Sequence, residues 1–521
     1  MAFVTAAALG LWCLGLLLWW KIHVPSNLPR NLPKIPVYVS LLGLWSDLGQ
    51  DEIYDRWLRK PLEQHGAVKF WFAGRWSILV IKPHYLTDLF RNENIYAKAG
   101  NQKKIPWSVM ASLLGDNIIS SHGDNWRLYT SIMKPGMTKH NFDCRPLVNK
   151  SRKLVELLLQ AQSRTAAGKG VVINPFILRY AISVMGQSFL DIDFQCLEDQ
   201  ENPIFDLQTT IKRSIFKPFY MNFPVADKYP AIFPSRARAF TLVKRFENLL
   251  YELIRDRPRT GSEKKHHSDN DQVVHMLEQA LKEGKITEKQ YRDNLKITFI
   301  VAHENTQLLL NSMFYQIGID QQVQDKLRDE IKTTGVANPT ADTVNKLPYL
   351  TSVIYELLRL YPPISQLTNR VAESDALLGD TVPVPADTYV GWNAYGVHTS
   401  SANWGPNAKD FIPERWGSSV EEMQRKFRRD TIRGTFIPFN AHTRKCLGQA
   451  FVLLQMKIAV FELVRSTRWK VDPGYKLKLP GAGVLAPVGC RIVFEEIEIR
   501  GQVSEAESAD NGVSLYDGGD L

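Results

Sequence analysis

The chain has 521 residues, 44% of them hydrophobic and 23% charged, with a formal net charge of +10, which is the make-up of a globular protein with a large core. The basic excess suits an anionic surface or an acidic partner, and nucleic acid is disfavoured because no zinc-finger spacing, RNA-binding signature or glycine phosphate loop accompanies it. Cys13, Cys144, Cys196, Cys446 and Cys490 are scattered, odd in number and form no CxxC pair, which argues against a disulfide framework or a zinc site and fits a reducing compartment.

Residues 2–20 are almost wholly apolar. A helix there would span about 28 Å, close to the hydrocarbon core of a bilayer. Trp19 and Trp20 sit where an interfacial aromatic belt belongs, and Lys21, His23, Arg30 and Lys34 follow. By the positive-inside rule the body of the protein is expected in the cytosol. A cleaved signal peptide is the weaker reading: the run is too long, its start lacks Lys and Arg, and no small-x-small site follows. Pro25, Pro29, Pro33 and Pro36 then predict a stiff linker, although an ordinary proline loop is equally compatible.

Residues 68–81 read as a β-hairpin turning at Ala73-Gly74. Beyond it the chain turns mostly helical. A helix opens near Asp124, a good N-cap candidate, and amphipathic spacing predicts helices over 149–162 and 175–189. The aromatic and basic stretch 211–233 reads as a mobile lid touching lipid or as a loop packed with aromatics; the apolar N-terminus favours the first. Residues 255–271 are polar throughout and predict a solvated loop, in which the pair His266-His267 is surface polarity rather than a metal site. A long helix is expected over 288–317, and another over 350–360, stopped by Tyr361-Pro362-Pro363. Strand-like runs such as 388–392 follow, then an apolar helix over 449–464. From Gly501 the chain is rich in Ser, Gly, Asp and Glu and reads as a disordered tail.

Three clusters carry chemistry. Glu356 and Arg359 lie at i, i+3 on an apolar helix, so the pair is expected to be buried and to need further partners; Arg415 is a candidate third member. Glu304, Asn305 and Thr306 put an acid, an amide and a hydroxyl in the middle of the long apolar helix, where they could pass protons through water or merely bond locally. Cys446 sits in a loop entered through Pro438 and Phe439, with Gly448 and a helix just after it. N–H groups of a tight turn and a helix start stabilise a thiolate, and Arg444 adds a cation two residues away. Taken alone, a lone cysteine is more often a small core hydrophobe.

In order and spacing these features resemble a cytochrome P450 of the microsomal eukaryotic type, over essentially the whole chain. The resemblance rests on Glu356-x-x-Arg359, on Pro413-Glu414-Arg415-Trp416, and on Phe439-x-x-His442-x-Arg444-x-Cys446-x-Gly448. It implies a fold that is mainly α with small β-sheets. A single catalytic domain, 38–500, would lie behind a transmembrane signal anchor, 1–21, and a proline-rich linker, 22–37, with a disordered tail over 501–521. It implies haem b with Cys446 as axial thiolate. Trp126, Arg444 and Arg370 would be propionate partners, and Phe439 and Gly448 would belong to the cofactor loop. Glu304, Asn305 and Thr306 would deliver protons during oxygen activation, and the set Glu356, Arg359 and Arg415 would be structural. Substrate would meet residues 105–114, 216–223 and 364–368.

Three positions depart from the family pattern. His442 stands where glycine is usual, Asn305 occupies the first alcohol position, and Thr130 replaces the arginine of Trp-x-x-x-Arg. No flavin or nicotinamide motif is present. Electrons are therefore expected from NADPH-cytochrome P450 reductase, with cytochrome b5 as a further donor, docking on the run Arg425, Lys426, Arg428, Arg429, Arg433 and Lys445. The expected location is the endoplasmic reticulum membrane, single-pass, with the catalytic domain cytosolic. Stretches 100–106 and 115–120 resemble fungal P450s of specialised metabolism and the yeast spore-wall enzyme that makes dityrosine. That suggests hydroxylation, desaturation or oxidative coupling of an amino-acid-derived or cyclic-dipeptide compound. A haem-thiolate isomerase, dehydratase or sensor is the rival reading, kept open by His442 and Asn305.

Overall fold

A 32-residue helix, Glu288–Ile319, forms the axis of the molecule. Its start is fixed by a capping box: the Thr287 hydroxyl accepts from the Gln290 N–H, and the Gln290 side chain accepts from the Thr287 N–H. Its middle is buried on most sides, as expected of a helix apolar all round. Helices Asn174–Phe189, Pro348–Leu360 and Gln449–Ser466 pack around it in one continuous apolar core. The computed structural model describes Trp12, Gly15 and residues 22–497 apart from 140, 259–271 and 482. The apolar run 2–20 lies, apart from Trp12 and Gly15, outside the described residues, and so do the His266-His267 pair and the tail from Gly501. Among the described residues no helix is long and apolar enough to cross a membrane.

The sheets are small, and the fold is mainly helical, as the sequence implies. Five strands lie in the order Ala67–Phe72, Arg75–Val80, Tyr389–Asn393, Gln366–Ala372, Tyr96–Lys98. Only the pairing of Arg75–Val80 with Tyr389–Asn393 is parallel. A second sheet joins Val171–Val172, Arg491–Glu496 and Thr467–Val471. The predicted hairpin is present, with Ala73 and Gly74 both at positive φ (53° and 76°), the geometry that matches the twist of two strands joined by a two-residue turn.

Local differences from the sequence reading have identifiable causes. The helix near Asp124 is Gly123–Met137, with His122 at the N-cap. Asp124 therefore sits in the first turn, where it pairs with Arg127 and favours the helix dipole rather than capping it. Arg257, assigned to the solvated loop, is buried, donating to the Ile254 carbonyl at 2.6 Å and to Glu278 at 2.8 Å. The proline segment is stitched to the first strand: the Ile35 N–H donates to the Lys69 carbonyl, the Lys69 N–H to Pro33, and Lys69 Nζ to Pro29. Stretch 211–233 is, in part, a segment packed with aromatics. After helix Pro203–Ile215 come the short turns Pro218–Asn222 and Pro224–Lys228. Phe219 and Phe223 pack on each other, while Phe216, Tyr229 and Ile232 are exposed.

Candidate active site

Helix Pro348–Leu360 is buried from Leu350 to its end, and Glu356 and Arg359 are both fully buried. Their ion pair is bidentate, at 2.9 and 2.7 Å. Arg415 Nε donates to the same carboxylate at 2.8 Å. Sequence reasoning missed two further donors, Trp416 Nε1 and the Ile412 N–H, each 3.0 Å from Glu356. Arg359 spends its remaining N–H groups on the carbonyls of His398, Ala408 and Asp410. A buried ion pair survives its desolvation only when satisfied in this way.

His398 connects this set to the cysteine loop. Its Nε2 accepts from the Ile437 N–H at 2.8 Å, which fixes Nδ1 as the donor to the Arg359 carbonyl at 3.1 Å. Burial, reinforced by the Arg359 charge, pushes His398 down to about 3, so it stays neutral. An unfolded histidine takes its proton near pH 6.5, at about 6.5 by its ordinary value. The group therefore contributes stability that is complete above pH 6.5 and lost as pH falls toward 3. Replacing His398 by Gln is expected to flatten the pH dependence of the urea midpoint between pH 6.5 and 4 by about one proton, or about 1.4 kcal/mol per pH unit. An unchanged slope would contradict a neutral His398.

The loop entered from Ile437 is pinned by Phe436, whose ring lies 4.8 Å from Trp416 and 5.0 Å from Phe427 between centroids. Asn440 and His442 both have positive φ, 56° and 55°. His442 thus takes, at a cost of about 1–2 kcal/mol, the left-handed conformation that glycine supplies freely. Its Nε2 is buried with no partner among the described residues. The Cys446 N–H donates to the Phe439 carbonyl at 2.9 Å, and Gly448 is the N-cap of helix Gln449–Ser466. Cys446 is exposed on one side and ringed by protein on the others. That burial pushes its thiol up, against the backbone N–H groups of Gly448 and Gln449 and the charge of Lys445. The cation acting on the sulfur is therefore Lys445, not Arg444 as the sequence spacing suggests.

Arg444 turns away to a carboxylate that sequence reasoning did not single out. Its Nε is 2.7 Å from Glu93, its other arm donates to the Ser121 carbonyl at 2.8 Å, and its guanidinium lies 3.9 Å over the Trp126 ring. Arg370 also bonds Glu93, and donates to the Tyr96 carbonyl at 3.0 Å. Burial disfavours the Glu93 carboxylate, but Arg370 and Arg444 outweigh it and hold the group below the usual range. Arg444 and Arg370 are thus brought together on Glu93, and the Trp126 ring lies against Arg444. No motif marks Glu93; only its place before the edge strand puts it there.

On the axial helix the three expected residues meet different neighbours. Glu304 accepts from Gln208 Nε2 at 3.0 Å and pairs with Lys212 at 3.3 Å, both on helix Pro203–Ile215. Gln208 is oriented by His303, whose Nδ1 bonds the Phe299 carbonyl at 2.6 Å and whose Nε2 lies 3.3 Å from Gln208 Nε2. With Nδ1–H donating, Nε2 accepts from the Gln208 amide. Burial pushes His303 down to about 3, so this arrangement stays neutral. Thr306 is fully buried and its hydroxyl has no partner among the described residues; Asn305 is half-buried. Glu304 is not hydrogen-bonded to Thr306.

This donor set fits a haem. It offers an exposed cysteine under two N–H groups, two arginines on one carboxylate with an indole against one of them, and, on the axial helix, a buried hydroxyl with no partner among the described residues.

Comparison with known proteins gives the same answer. Residues 31–488 match the family model described as Cytochrome P450. The chain is 57% identical over 462 residues to the cytochrome P450 monooxygenase xanG of Aspergillus fumigatus, covering 88% of this chain and 86% of that protein. It is 35% identical over 474 residues to cytochrome P450-DIT2 of Saccharomyces cerevisiae, covering 91% and 94%. Its fold is shared with the crystal structure of the cytochrome P450DA heme domain, at a TM-score of 0.72 and 19% identity, over 90% of this chain and 98% of that one. A buried ion-pair helix tied to a one-sided cysteine, together with these matches, places the chain in the cytochrome P450 family of haem-thiolate monooxygenases.

Proposed function

We propose that the chain oxidises a small amino-acid-derived or cyclic-dipeptide compound in fungal secondary metabolism, by hydroxylation, desaturation or oxidative coupling. The observation that carries the catalytic reading is Cys446, exposed on one side beneath the N–H groups of Gly448 and Gln449 at the start of a buried helix. The likeness to xanG and DIT2 supports the fungal setting. In this reading Cys446 would hold the haem iron through its sulfur, and Arg370, Arg444 and Trp126 would hold the propionates. When bound, the haem supplies dioxygen activation, favoured by the electron donation of a thiolate. The protein supplies protons, orientation and exclusion of water. Glu304, its carboxylate fixed by Gln208 and Lys212, is the acid of the proton path, and the Thr306 hydroxyl, without a partner among the described residues, is its next member.

Replacing Glu304 by Gln is expected to slow product formation about 100-fold, the usual weight of a positioned acid. Unchanged turnover, with product read by mass, would contradict that role.

The location follows the sequence. The run 2–20 anchors the chain once in the endoplasmic reticulum membrane, with the linker 22–37, the catalytic domain 38–500 and the tail 501–521 on the cytosolic side. NADPH-cytochrome P450 reductase, with cytochrome b5 as a second donor, is the proposed electron source. Arg425, Arg428, Arg429, Arg433 and Lys445 are exposed and suit an acidic partner, although Arg429 pairs with Asp430, and Lys426 turns toward Asp430 and Trp404. The test is co-expression with a reductase in a host lacking the pathway, feeding of amino-acid-derived precursors, and product masses. NADPH-dependent oxygen consumption coupled to product is expected; conversion without either would favour an isomerase or dehydratase.

A further inference from the structure

The hairpin of Ala67–Phe72 and Arg75–Val80 meets or borders all three stretches expected to face substrate, 105–114, 216–223 and 364–368. Its Trp71 ring lies 5.8 Å from that of Phe223. Its Arg75 donates to the Lys104 carbonyl at 2.7 Å, just ahead of stretch 105–114. Lys104 Nζ in turn donates to the Thr368 carbonyl at 2.9 Å. Both cations face one ring: the Arg75 guanidinium lies 4.5 Å and the Lys104 ammonium 5.4 Å from the centre of Tyr389. All three side chains are half-buried, which leaves them within reach of a ligand.

This juncture has cations and no free anion. Among the described residues neither Arg75 nor Lys104 has an ion pair, and the carboxylates near them in the chain or the fold are engaged elsewhere. Glu373 pairs with Lys103 at 2.8 Å. Asp227 holds Arg236 and the Val109 N–H. Asp116 accepts from Gln102, Asn125 and Tyr129. Lys228, over the Trp107 ring at 3.9 Å, adds a further cation. The Arg75 Nε is buried with no partner among the described residues. Desolvation, then the Arg75 charge, pushes Lys104 down to about 8, and no carboxylate opposes them. The Arg370 and Arg444 charges are not among those acting on Lys104, so this pair is separate from the set on Glu93. The Tyr389 face offsets part of the cost, but a ring brings no net charge. Elsewhere a buried lysine is compensated: Lys150 has Asp193 and Glu198.

We propose that Lys104 and Arg75 bind a carboxylate of the substrate, so that the compound oxidised is an amino-acid derivative with its acid group free. This deepens the reaction proposed above and rests on it. A free carboxylate gives both cations the anion they lack, and a guanidinium can meet it with two parallel N–H groups. It would also tie the hairpin to stretch 105–114 and, through Lys104, to Thr368. A cyclic dipeptide has spent its carboxyl groups in ring amides and would leave both cations unpaired.

The experiment uses the haem-loaded full-length protein and its variants K104M, K104R and R75M. The probes are the N-acetyl derivatives of L-tyrosine, L-phenylalanine and L-tryptophan, their neutral carboxamides, and the cyclic dipeptide of two L-tyrosines. Dissociation constants are read by equilibrium dialysis, and products by mass. The wild type is expected to bind at least one acid about tenfold more tightly than its amide, the weight of one charge-assisted hydrogen bond. K104M and R75M are expected to lose that preference by weakening the acid while leaving the amide unchanged, and K104R to keep it. A merely structural role would weaken acid and amide alike. That result, or a wild type that binds no acid in preference to its amide or to the cyclic dipeptide, would overturn the carboxylate site and leave the haem-thiolate reading intact. An acid bound with this preference but never oxidised would overturn the proposed reaction and leave the carboxylate site standing.

Discussion

Replacing Arg359 by alanine is expected to give protein that is depleted of haem and destabilised by about 3–5 kcal/mol, the cost of breaking a buried ion pair from one side. The loss is large because Arg359 serves more than Glu356. Its guanidinium also satisfies the carbonyls of His398, Ala408 and Asp410, each buried or nearly so once the helix has packed. Alanine leaves those carbonyls and one side of a fully buried carboxylate without donors. Arg415, Trp416 and the Ile412 N–H remain on Glu356, so the carboxylate keeps part of its shell. A few kcal/mol is a large share of the 5–15 kcal/mol, in round terms about 10, that holds an ordinary domain together. Lysine is expected to rescue little, since it cannot reproduce the bidentate fork. Urea midpoint and haem content measure the effect, and wild-type values for both in R359A would contradict it. Because the lost guanidinium also holds the His398 carbonyl, and His398 in turn holds the Ile437 N–H, the damage should reach the cysteine loop as well as the core.

The second large effect is expected for Cys446→Ser. Serine preserves the size of the side chain and the 2.9 Å bond from its N–H to the Phe439 carbonyl, which is backbone only. It removes the thiol, the one group at this position that can bind iron as a thiolate. The N–H groups of Gly448 and Gln449, turned toward the sulfur, then face a neutral hydroxyl. Reductase-driven product formation is expected to fall below detection while the urea midpoint of the haem-free protein stays close to wild type, since the exposed side of Cys446 contributes little packing. Retained turnover would mean that another residue ligates the iron.

Much of this site was legible in the sequence because its parts are local. Glu356 and Arg359 are three residues apart on one helix, and Phe439, Cys446 and Gly448 belong to one loop. The long helix announced itself through its apolar run. What stayed hidden was set by contacts distant in sequence. Glu93 meets Arg370 and Arg444, partners 277 and 351 residues away, and carries no motif. His398 looked like any histidine in a polar stretch, yet it joins two elements 39 residues to either side. Arg444 was read as a cation for the thiolate because spacing alone cannot show that a side chain turns the other way. His442 raised the question of a distorted loop; the backbone answers it by keeping positive φ without glycine. Glu304 was expected to act with Thr306, but the sequence could not show that helix Pro203–Ile215 reaches it first.

The central claim is that Cys446 ligates haem iron as a thiolate. The carbon-monoxide difference spectrum of the reduced full-length protein, loaded with haem, tests it most directly. The strongly red-shifted band of a thiolate-ligated haem is expected for the wild type, and its loss for C446S. A spectrum with the unshifted band of a neutral or histidine ligand in the wild-type protein, or a red-shifted band that survives in C446S, would contradict the claim.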